Sequence, residues 1–323
     1  MKAVVCHRYG PISALEIADL PVPQVEPGKV RVSLRAASLN FLDTLIVQGR
    51  YQLKPSLPFI PGAEMAGVVS AVGHGVTHVQ LGDAVIVRGS FGCLAEEVLA
   101  DVANVTAIAE PDDWREAAAL SVTYSTAYHA LVHRAQIAQG DVVLILGAAG
   151  GVGSASIQIA KAMGASVIAA CSGEERGAFC RALGADFSLD YRNDNFRERI
   201  RSLVGDSGID IVVDNVGGAY AEPALRSLGK LGRYLIVGFA TGEIPRLPAN
   251  LLLLKGASAI GVNADFSRDD AASYRATMEK LIQLSRDSHI QPAVGATFVL
   301  ADAIKALEGI AARQANGKIV IVP

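Results

Sequence analysis

The sequence predicts an α/β protein that combines a β-rich domain with a doubly wound parallel sheet. In the first third of the chain, short apolar runs are separated by proline and glycine, which is typical of strands and turns. From about Asp112 onward, strand-like and helix-like segments alternate, as they do in a doubly wound sheet. The length of 323 residues is sufficient for two domains of ordinary size.

The β-rich domain is predicted from four apolar runs, and the elements that follow it are predicted from the alternation of strand-like and helix-like segments. The runs are residues 2–6, 28–36, 64–72 and 84–88. An alanine-rich helical stretch at 114–120 and the segment 124–131 are predicted to connect the two domains. Beyond them we predict strands at 142–146, 166–170, 209–214, 232–237 and 257–262, with helices between them. The tail contains a strand at 297–300, a helix at 302–313 and a final strand-like run ending at Pro323, and we predict that it returns to the first domain.

A glycine-rich turn between a buried strand and a helix is the most informative motif. The run Val142–Leu146 suits a strand that is buried on both faces of a parallel sheet. Gly150, Gly151 and Gly153 follow it in the pattern A-x-G-x-x-G, which begins at Ala148. Such a turn presents the N-terminus of a helix to a pyrophosphate, and no Gly-Lys-Ser/Thr follows as in a P-loop. The motif favours dinucleotide binding, with a purely structural turn as the alternative.

Composition and charge narrow the class of protein. Hydrophobic residues make up 51% of the chain and charged residues 19%, which argues against general disorder. A net charge of −3 gives no reason to expect nucleic acid as a partner. The sequence shows no signal-peptide core and no apolar run of the length of a membrane span, so we expect a cytoplasmic protein with a small-molecule partner. The four cysteines form no C-x-x-C pair and are predicted to be free thiols.

Several segments together resemble the zinc-independent quinone oxidoreductase branch, the zeta-crystallin-like group, of the medium-chain dehydrogenase/reductase superfamily. They are residues 36–43, 57–69, 82–85, 150–153, 238–240 and 250–255. The resemblance covers nearly the whole chain and implies a GroES-like catalytic domain and a Rossmann domain. We expect the catalytic domain at 1–123, the Rossmann domain at 124–266, and a C-terminal segment at 267–323 that returns to the catalytic domain.

Residue types argue against a catalytic metal. Asn40, Ala63 and Val122 stand where the alcohol-dehydrogenase branch carries its zinc ligands, and none of these side chains suits a tetrahedral N/S zinc site. His129 and His133 lie four residues apart but lack the Glu of H-E-x-x-H, so we interpret them as ordinary helix histidines. We therefore expect no metal.

Without a metal, reduction of activated acceptors is the expected chemistry. A quinone or conjugated enone accepts hydride at an electron-poor carbon, so the protein need only place it and bind the developing oxyanion. Asn40 and Tyr51 are the candidates for these hydrogen bonds, and the resemblance implies that Asn40, Asp43 and Tyr51 line the catalytic cleft. Asn40 and Asp43 also suit a turn or helix cap, and Tyr51 an ordinary half-buried tyrosine. Some relatives carry a second Tyr where this chain has Leu45, which weakens the case for one fixed proton donor.

The cofactor predicted is NADPH. In NAD-binding Rossmann units a carboxylate stands at the end of the second strand, about 20 residues beyond the glycines. Here that strand is followed by Cys171 and Ser172. Ser172, Arg176 and Tyr191 suit a 2′-phosphate, whereas Glu174 and Glu175 are better placed in the first turn of the next helix. The further residues predicted to bind the cofactor are Thr126, Ala149, Gly150, Gly151, Val152, Gly153, Asn215, Gly238, Phe239, Ala240 and Lys318.

Two other functions remain open at this point. An enoyl-thioester or 2-alkenal reductase would use the same residues, with a Tyr near the position of Tyr51 as proton donor. A non-catalytic NADPH-binding protein is the second alternative. We also predict a homodimer, because the strand at 257–262 would leave an apolar sheet edge that a second copy can pair with.

Overall fold

The chain folds as two units. The computed structural model describes residues 1–193, 195–263 and 271–323, apart from the side chain of Ala271. The first unit comprises Met1–Val122, Asp270–Ile282 and Pro292–Pro323, and the second comprises Thr123–Asp269 and Gln283–Gln291. The predicted boundary between residues 266 and 267 lies outside the described residues.

The first unit is built on a mainly antiparallel seven-stranded sheet and a separate two-stranded hairpin. The hairpin pairs β1 (Lys2–Val5) with β2 (Glu16–Asp19). The strands of the larger sheet are β3 (Lys29–Leu39), β4 (Glu64–Val72), β5 (Ala84–Arg88), β6 (Glu97–Asp101), β7 (Val105–Ala107), β14 (Val294–Val299) and β15 (Lys318–Val322). They run in the order β14-β15-β3-β4-β5-β7, and β6 also pairs with β3.

The C-terminal strands complete this sheet, and one apolar core lies beneath it. β15 pairs with β3 in antiparallel register and with β14 in parallel register, so the end of the chain lies within the sheet. Val30, Val32, Met65 and Ile321, from three different strands, are fully buried in the same core. The C-terminal segment thus belongs to the first unit because its strand supplies part of that core.

The second unit contains a six-stranded parallel sheet of the doubly wound type. Its strands are β8 (Val142–Leu146), β9 (Ser166–Cys171), β10 (Phe187–Asp190), β11 (Ile209–Asp214), β12 (Leu228–Ile236) and β13 (Ser258–Gly261). Their order is β10-β9-β8-β11-β12-β13, which is the 3-2-1-4-5-6 order of dinucleotide-binding folds. β9 and β10 lie on one side of β8, and β11 to β13 lie on the other, so the order in which strands are added to the sheet reverses at β8. The carboxyl end of β8 is therefore the expected ligand-binding edge. The predicted combination of a β-rich domain with a doubly wound parallel sheet is confirmed.

Helices connect the strands in both units. The described α-helices of the first unit are Phe41–Val47, Trp114–Ala118 and Ala303–Ala311. Those of the second unit are Thr123–Tyr128, Gly151–Ala162, Glu174–Ala182, Phe196–Val204, Ala221–Arg226 and Ala249–Lys255. Helix Ala271–Arg286 contributes residues to both units, and His129–Arg134 forms a π-helix. Across the described ranges, no helix has both the length and the apolar character needed to span a bilayer.

Candidate functional site

Strand register brings three polar residues of the first unit together. β3 pairs with β4 so that Ser38 lies opposite Glu64, and with β15 so that Leu39 lies opposite Ile319. Continuing the second register by one residue places Asn40 opposite Lys318. Asn40, Glu64 and Lys318 therefore meet at one end of the central strands, although they are far apart in the sequence.

Lys318 is buried, and its ammonium group is fully hydrogen-bonded. The Nζ atom donates to Leu39 O at 2.9 Å, to Asn40 Oδ1 at 2.6 Å and to Glu64 Oε1 at 2.9 Å. The side chains of Lys318 and Glu64 are only 2% and 0% exposed. These three acceptors match the three protons of the ammonium, so the observed geometry orients Asn40 and neutralises Glu64. The predicted contact of Lys318 with a cofactor stays a prediction.

The second carboxylate oxygen of Glu64 is also satisfied. Glu64 Oε2 accepts hydrogen bonds from Ser121 Oγ at 2.8 Å and from Val122 N at 2.7 Å. A buried carboxylate with a cationic partner and two further donors meets the conditions under which a buried ion pair is tolerated. The local sequence around Glu64 does not indicate this role, because the partners of the carboxylate come from distant segments.

The Asn40 amide is part of this network. Its Nδ2 atom donates to Ser38 O at 3.3 Å and to Glu64 Oε1 at 3.0 Å, while Oδ1 accepts from Lys318. Both N–H groups are therefore engaged, and the residue is only 6% exposed. The structure gives Asn40 a cap and network position, and its predicted bond to a substrate oxyanion would require one of these contacts to be exchanged.

Asp43 is a buried carboxyl group with an elevated pKa. Its Oδ2 atom accepts a hydrogen bond from the backbone N–H of Asn40 at 2.7 Å, which caps the helix Phe41–Val47. Its Oδ1 atom has no hydrogen-bond partner among the described residues. Burial is the main cause that raises the pKa of Asp43 from 3.8 to about 7, against the opposing influence of nearby Lys318. Asp43 can therefore hold a proton close to neutral pH.

Tyr51 differs from Asn40 and Asp43 in its environment. It follows the helix Phe41–Val47 in a segment without regular secondary structure, and it is 37% exposed. The three residues predicted to be catalytic thus divide into a buried pair and one partly exposed tyrosine.

The glycine turn of the second unit has the geometry that a dinucleotide requires. β8 ends at Leu146, Gly147 has φ +69°, and the helix Gly151–Ala162 begins after Gly150. A Cβ atom on Gly153 would lie 2.3 Å from Gly147 O, so only glycine permits this close approach of helix and turn. A Cβ on Gly150 would come only to 3.4 Å from the same oxygen. The predicted segment from Ala149 to Gly153, including Val152, thus forms the end of the turn and the first residues of the helix.

Three side chains predicted to bind a 2′-phosphate lie together beyond β9. Arg176 Nη1 donates to Ser172 Oγ at 2.9 Å. Tyr191 interacts with Ser172 and packs on Tyr220, with ring centroids 4.5 Å apart. Burial is the main cause that raises the pKa of the Tyr191 hydroxyl above its usual value, so this hydroxyl is protonated at neutral pH. The cluster offers a guanidinium and two hydroxyl groups, which are suitable partners for a phosphate.

Glu174 is directed to a different partner. It lies in the first turn of the helix Glu174–Ala182, and its carboxylate accepts a hydrogen bond from Arg181 Nη2 at 2.5 Å. This ion pair is mostly exposed, with the Glu174 side chain 83% exposed. The interpretation of Glu174 as a residue of the first helical turn is consistent with this geometry.

A carboxylate that the sequence pattern did not indicate lies beside this cluster. Asp190 ends β10 and lies opposite Cys171, and its Oδ2 atom accepts a hydrogen bond from Gly173 N at 3.0 Å. The carboxylate comes from the neighbouring strand instead of the second strand itself. The parallel pairing of two adjacent strands is the signal that would have placed it there.

Asn215 and the segment 238–240, which are also predicted to bind the cofactor, lie near the carboxyl ends of β8 and β11. Asn215 Nδ2 donates to Leu146 O at 2.9 Å, and its buried Oδ1 has no partner among the described residues. The N–H groups of Gly238 and Ala240 donate to Asp214 O and Asn215 O, both at 3.1 Å. Phe239 between them is 36% exposed, and Thr126 lies buried in helix Thr123–Tyr128. The amide oxygen of Asn215 without a partner and the nearby glycine turn together suit a dinucleotide whose nicotinamide end carries polar groups.

The positions compared with zinc ligands contain no metal-binding group. Val122 contributes a backbone N–H to Glu64, and Asn40 and Ala63 are buried. His129 and His133 contact each other, with their Nδ1 atoms 3.4 Å apart, and burial is the main cause that lowers the pKa of His129 to about 4. Within residues 1–193, 195–263 and 271–323, no group of three or more His, Cys, Asp or Glu side chains is arranged to hold a metal ion.

Two family models match the chain, one within the first unit and one mainly within the second. The alcohol dehydrogenase GroES-like domain matches residues 26–110, and the zinc-binding dehydrogenase model matches residues 151–284. The first match spans all of β3 to β7, and the second begins at Gly151, the first residue of helix Gly151–Ala162.

Known proteins resemble the chain over its full length. Quinone oxidoreductase-like protein 2 of Bos taurus is 38% identical over 323 residues, covering 99% of this chain and 92% of that protein. A mycobacterial protein solved in complex with NADPH has a TM-score of 0.92 at 30% identity, with 100% of both chains covered. Escherichia coli quinone oxidoreductase, also complexed with NADPH, has a TM-score of 0.92 at 25% identity, again with 100% of both chains covered. The chain therefore belongs to the zinc-independent quinone oxidoreductase branch of the medium-chain dehydrogenase/reductase superfamily.

Proposed function

We infer that this protein is an NADPH-dependent oxidoreductase, and we propose that it reduces quinones or similar conjugated carbonyl compounds by metal-free hydride transfer. The observation that carries the cofactor assignment is the Ser172–Arg176–Tyr191 cluster at the end of β9. Two similar solved structures are named as NADPH complexes, which agrees with this assignment.

The second unit would hold NADPH along the carboxyl edge of its sheet. The N-terminus of helix Gly151–Ala162 would bind the pyrophosphate, because its first N–H groups have no partners within the helix. Arg176 and Ser172 would bind the 2′-phosphate, and the free Oδ1 of Asn215 would accept a hydrogen bond at the nicotinamide end. When bound, NADPH supplies the hydride.

The charge distribution in the first unit supports chemistry without a metal. The Lys318 ammonium already contacts both Asn40 and Glu64, and a positive group at 2.6 Å from Asn40 Oδ1 opposes a second cation there. A substrate that needs a Lewis acid is therefore a poor match for these residues. A conjugated acceptor needs only placement and a hydrogen bond to the oxygen that gains charge.

Tyr51 and Asp43 are our candidates for handling the proton. Tyr51 is partly exposed, and we propose that its hydroxyl donates a hydrogen bond to the acceptor oxygen. Asp43, whose pKa is about 7, accepts a hydrogen bond from the backbone N–H of Asn40. We propose that this carboxyl group holds a proton next to Asn40. Because a reduced quinone can take its protons from water, neither group needs to be an obligatory acid for that substrate.

A direct comparison of acceptors tests the proposed function. NADPH oxidation is followed with 9,10-phenanthrenequinone, a crotonyl thioester and a short enone under identical conditions. We expect the highest kcat/KM with the quinone. A preference for the crotonyl thioester would instead establish the enoyl-thioester reductase alternative, and NADPH binding without turnover of any acceptor would favour the non-catalytic alternative.

We further propose a homodimer formed through the second unit. β13 is the last strand in the order of the six-stranded sheet, and its residues are largely exposed. Leu253 and Leu254, on the helix that precedes it, are 82% and 77% exposed, which is unusual for two adjacent leucines. Light scattering at micromolar concentration checks this, because a monomeric mass would contradict it. The cytoplasmic location stays a prediction.

A further inference from the structure

Asp190 places a carboxylate where it would be expected to favour NADH. Its Oδ2 atom binds the N–H of Gly173, one residue beyond Ser172. In dinucleotide-binding folds a carboxylate near the end of the second strand accepts hydrogen bonds from the ribose hydroxyls. The same negative charge would repel a 2′-phosphate at this short range. An uncompensated Asp190 would therefore oppose the cofactor that Arg176 and Ser172 favour.

Arg192 neutralises the negative charge of Asp190 through several hydrogen bonds to its carboxylate. Its Nε atom lies 3.0 Å and 3.2 Å from the two Asp190 oxygens, and its Nη2 atom lies 2.6 Å from Oδ2. The backbone N–H of Arg192 also donates to Asp190 Oδ1 at 3.0 Å. Hydrogen bonding to the Arg192 side chain is the main cause that lowers the pKa of Asp190 to about 2. The two residues thus form an ion pair without net charge at neutral pH.

The guanidinium of Arg192 lies directly beside the turn that follows Ser172. A Cβ atom on Gly173 would be only 3.4 Å from Arg192 Nη2, and Gly173 has φ +84°. The Arg192 side chain remains 56% exposed despite the contact with Asp190. The contacts with Asp190 engage Nε and Nη2 of Arg192. The Nη1 side of the Arg192 guanidinium is therefore directed away from this carboxylate.

Among the charged side chains that contact Ser172, Gly173 or Asp190, the charges sum to a positive value. Arg176 and Arg192 contribute two positive charges and Asp190 one negative charge, while Glu174 is paired with Arg181. Removing Arg192 would leave Arg176 and Asp190 with no net charge between them.

We propose that Arg192 determines the preference for NADPH over NADH, by neutralising Asp190 and offering a second guanidinium to the 2′-phosphate. This inference rests on the proposed function, since it assumes that NADPH is the cofactor. Arg192 acts on binding selectivity and takes no part in hydride transfer.

Titration of nucleotide binding by the purified protein tests the proposal. Kd is measured for NADPH and for NADH with the wild type, Arg192→Ala and Arg201→Ala. Arg201 is the matched control, since it is also an arginine of the second unit in an exposed ion pair, with Asp206 at 2.8 Å. For Arg192→Ala we expect NADPH binding to weaken about tenfold or more. The reason is that a charge-assisted contact with the 2′-phosphate is lost and the negative charge of Asp190 is no longer neutralised. NADH binding should stay unchanged or become tighter, and Arg201→Ala should alter neither Kd.

A second variant separates the two parts of the proposal. Asp190→Asn combined with Arg192→Ala removes the repelling carboxylate as well, so part of the lost NADPH affinity should return. Equal weakening of NADPH and NADH by Arg192→Ala, with native circular dichroism, would assign the residue a merely structural role and overturn the inference. An unchanged NADPH Kd would also overturn it. A wild type that binds NADH more tightly than NADPH would instead contradict the proposed cofactor, which is a distinct result.

Discussion

The Nζ atom of Lys318 lies 2.6 Å from Oδ1 of Asn40, although 278 residues separate them in the chain. The same ammonium binds Glu64, so one cation holds both a carboxylate and the side-chain amide of Asn40, the residue that precedes helix Phe41–Val47. Because all three groups are buried, each depends on the others for its hydrogen bonds. The network explains why a charged residue occurs in the final strand of a hydrophobic core.

Lys318→Met should strongly destabilise the protein. The substitution leaves the Glu64 carboxylate buried without its cation, and breaking a buried ion pair costs about 3–5 kcal/mol of the free energy of unfolding. Urea unfolding followed by circular dichroism measures this change. Lys305→Met, at an exposed position of helix Ala303–Ala311, is the control and should change the free energy of unfolding by less than about 0.5 kcal/mol. Similar values for the two variants would show that the network contributes little.

Gly153→Ala should impair the second unit more than Gly150→Ala. A Cβ on Gly153 would meet Gly147 O at 2.3 Å and Ala148 Cα at 2.7 Å, so backbone must move, whereas on Gly150 the nearest atom is 3.4 Å away. Overpacking of this kind costs about 1–3 kcal/mol. We expect Gly153→Ala to lower both stability and nucleotide affinity. Thermal unfolding and NADPH titration of both variants provide the comparison, and equal behaviour would contradict the assigned role of Gly153.

Arg176→Ala should weaken NADPH binding selectively. Loss of a charge-assisted hydrogen bond to the 2′-phosphate costs about 1.5–3 kcal/mol, which corresponds to roughly ten- to a hundredfold in Kd. NADH lacks this phosphate, so its binding should change little. Fluorescence titration of each nucleotide measures both values. Parallel losses for the two cofactors would indicate a folding defect or a different phosphate site.

Tyr51→Phe distinguishes the two candidate reactions. A quinone can draw protons from solvent after hydride transfer, whereas the enolate of a thioester benefits from a positioned acid. For quinone reduction we expect kcat to fall less than about tenfold, equivalent to about 1.4 kcal/mol. Steady-state kinetics with the quinone and the crotonyl thioester provide the test. A loss of about a hundredfold with the quinone would assign Tyr51 as an essential acid.

Asp43 should make the stability depend on pH in an unusual direction. A carboxyl whose pKa is raised from 3.8 to about 7 binds its proton more tightly in the folded chain than in the unfolded chain. The free energy of unfolding should therefore fall as pH rises from about 4 to about 7, as far as this group contributes. Asp43→Asn removes the titration, so its stability should decline less over the same interval. Urea unfolding across this pH range gives both profiles, and identical slopes would rule out the contribution.

Local sequence patterns predicted the second unit well. The strands Val142–Leu146 and Ile209–Asp214 are observed with the predicted bounds. A strand that is buried on both faces of a parallel sheet is a continuous apolar run, so its ends can be read from the sequence. The 257–262 strand is shorter, Ser258–Gly261, since only those residues pair with β12. The segment at 124–131 is wholly helical and ends in a π-helix, a feature that periodicity does not distinguish.

The contacts that define the polar networks were not predictable in the same way. Lys318 was expected at a cofactor, and the structure shows its hydrogen bonds to Asn40 and Glu64, because the pairing of β15 with β3 is not encoded locally. Asp190 was missed for the same reason, since its approach to Gly173 depends on the pairing of β10 with β9. Register between distant strands is thus the information that the sequence pattern lacks.

The position of β15 inside its sheet also has a consequence for biosynthesis. β15 lies between β14 and β3, so a strand that is translated after all the other described strands takes a position inside the sheet of the first unit. Until Lys318–Val322 leaves the ribosome, β3 retains an open edge and Glu64 has no ammonium partner. The six strands of the second unit are complete long before that point. We therefore expect ribosome-bound chains ending near residue 300 to resist protease in the second unit while the first unit is still cleaved.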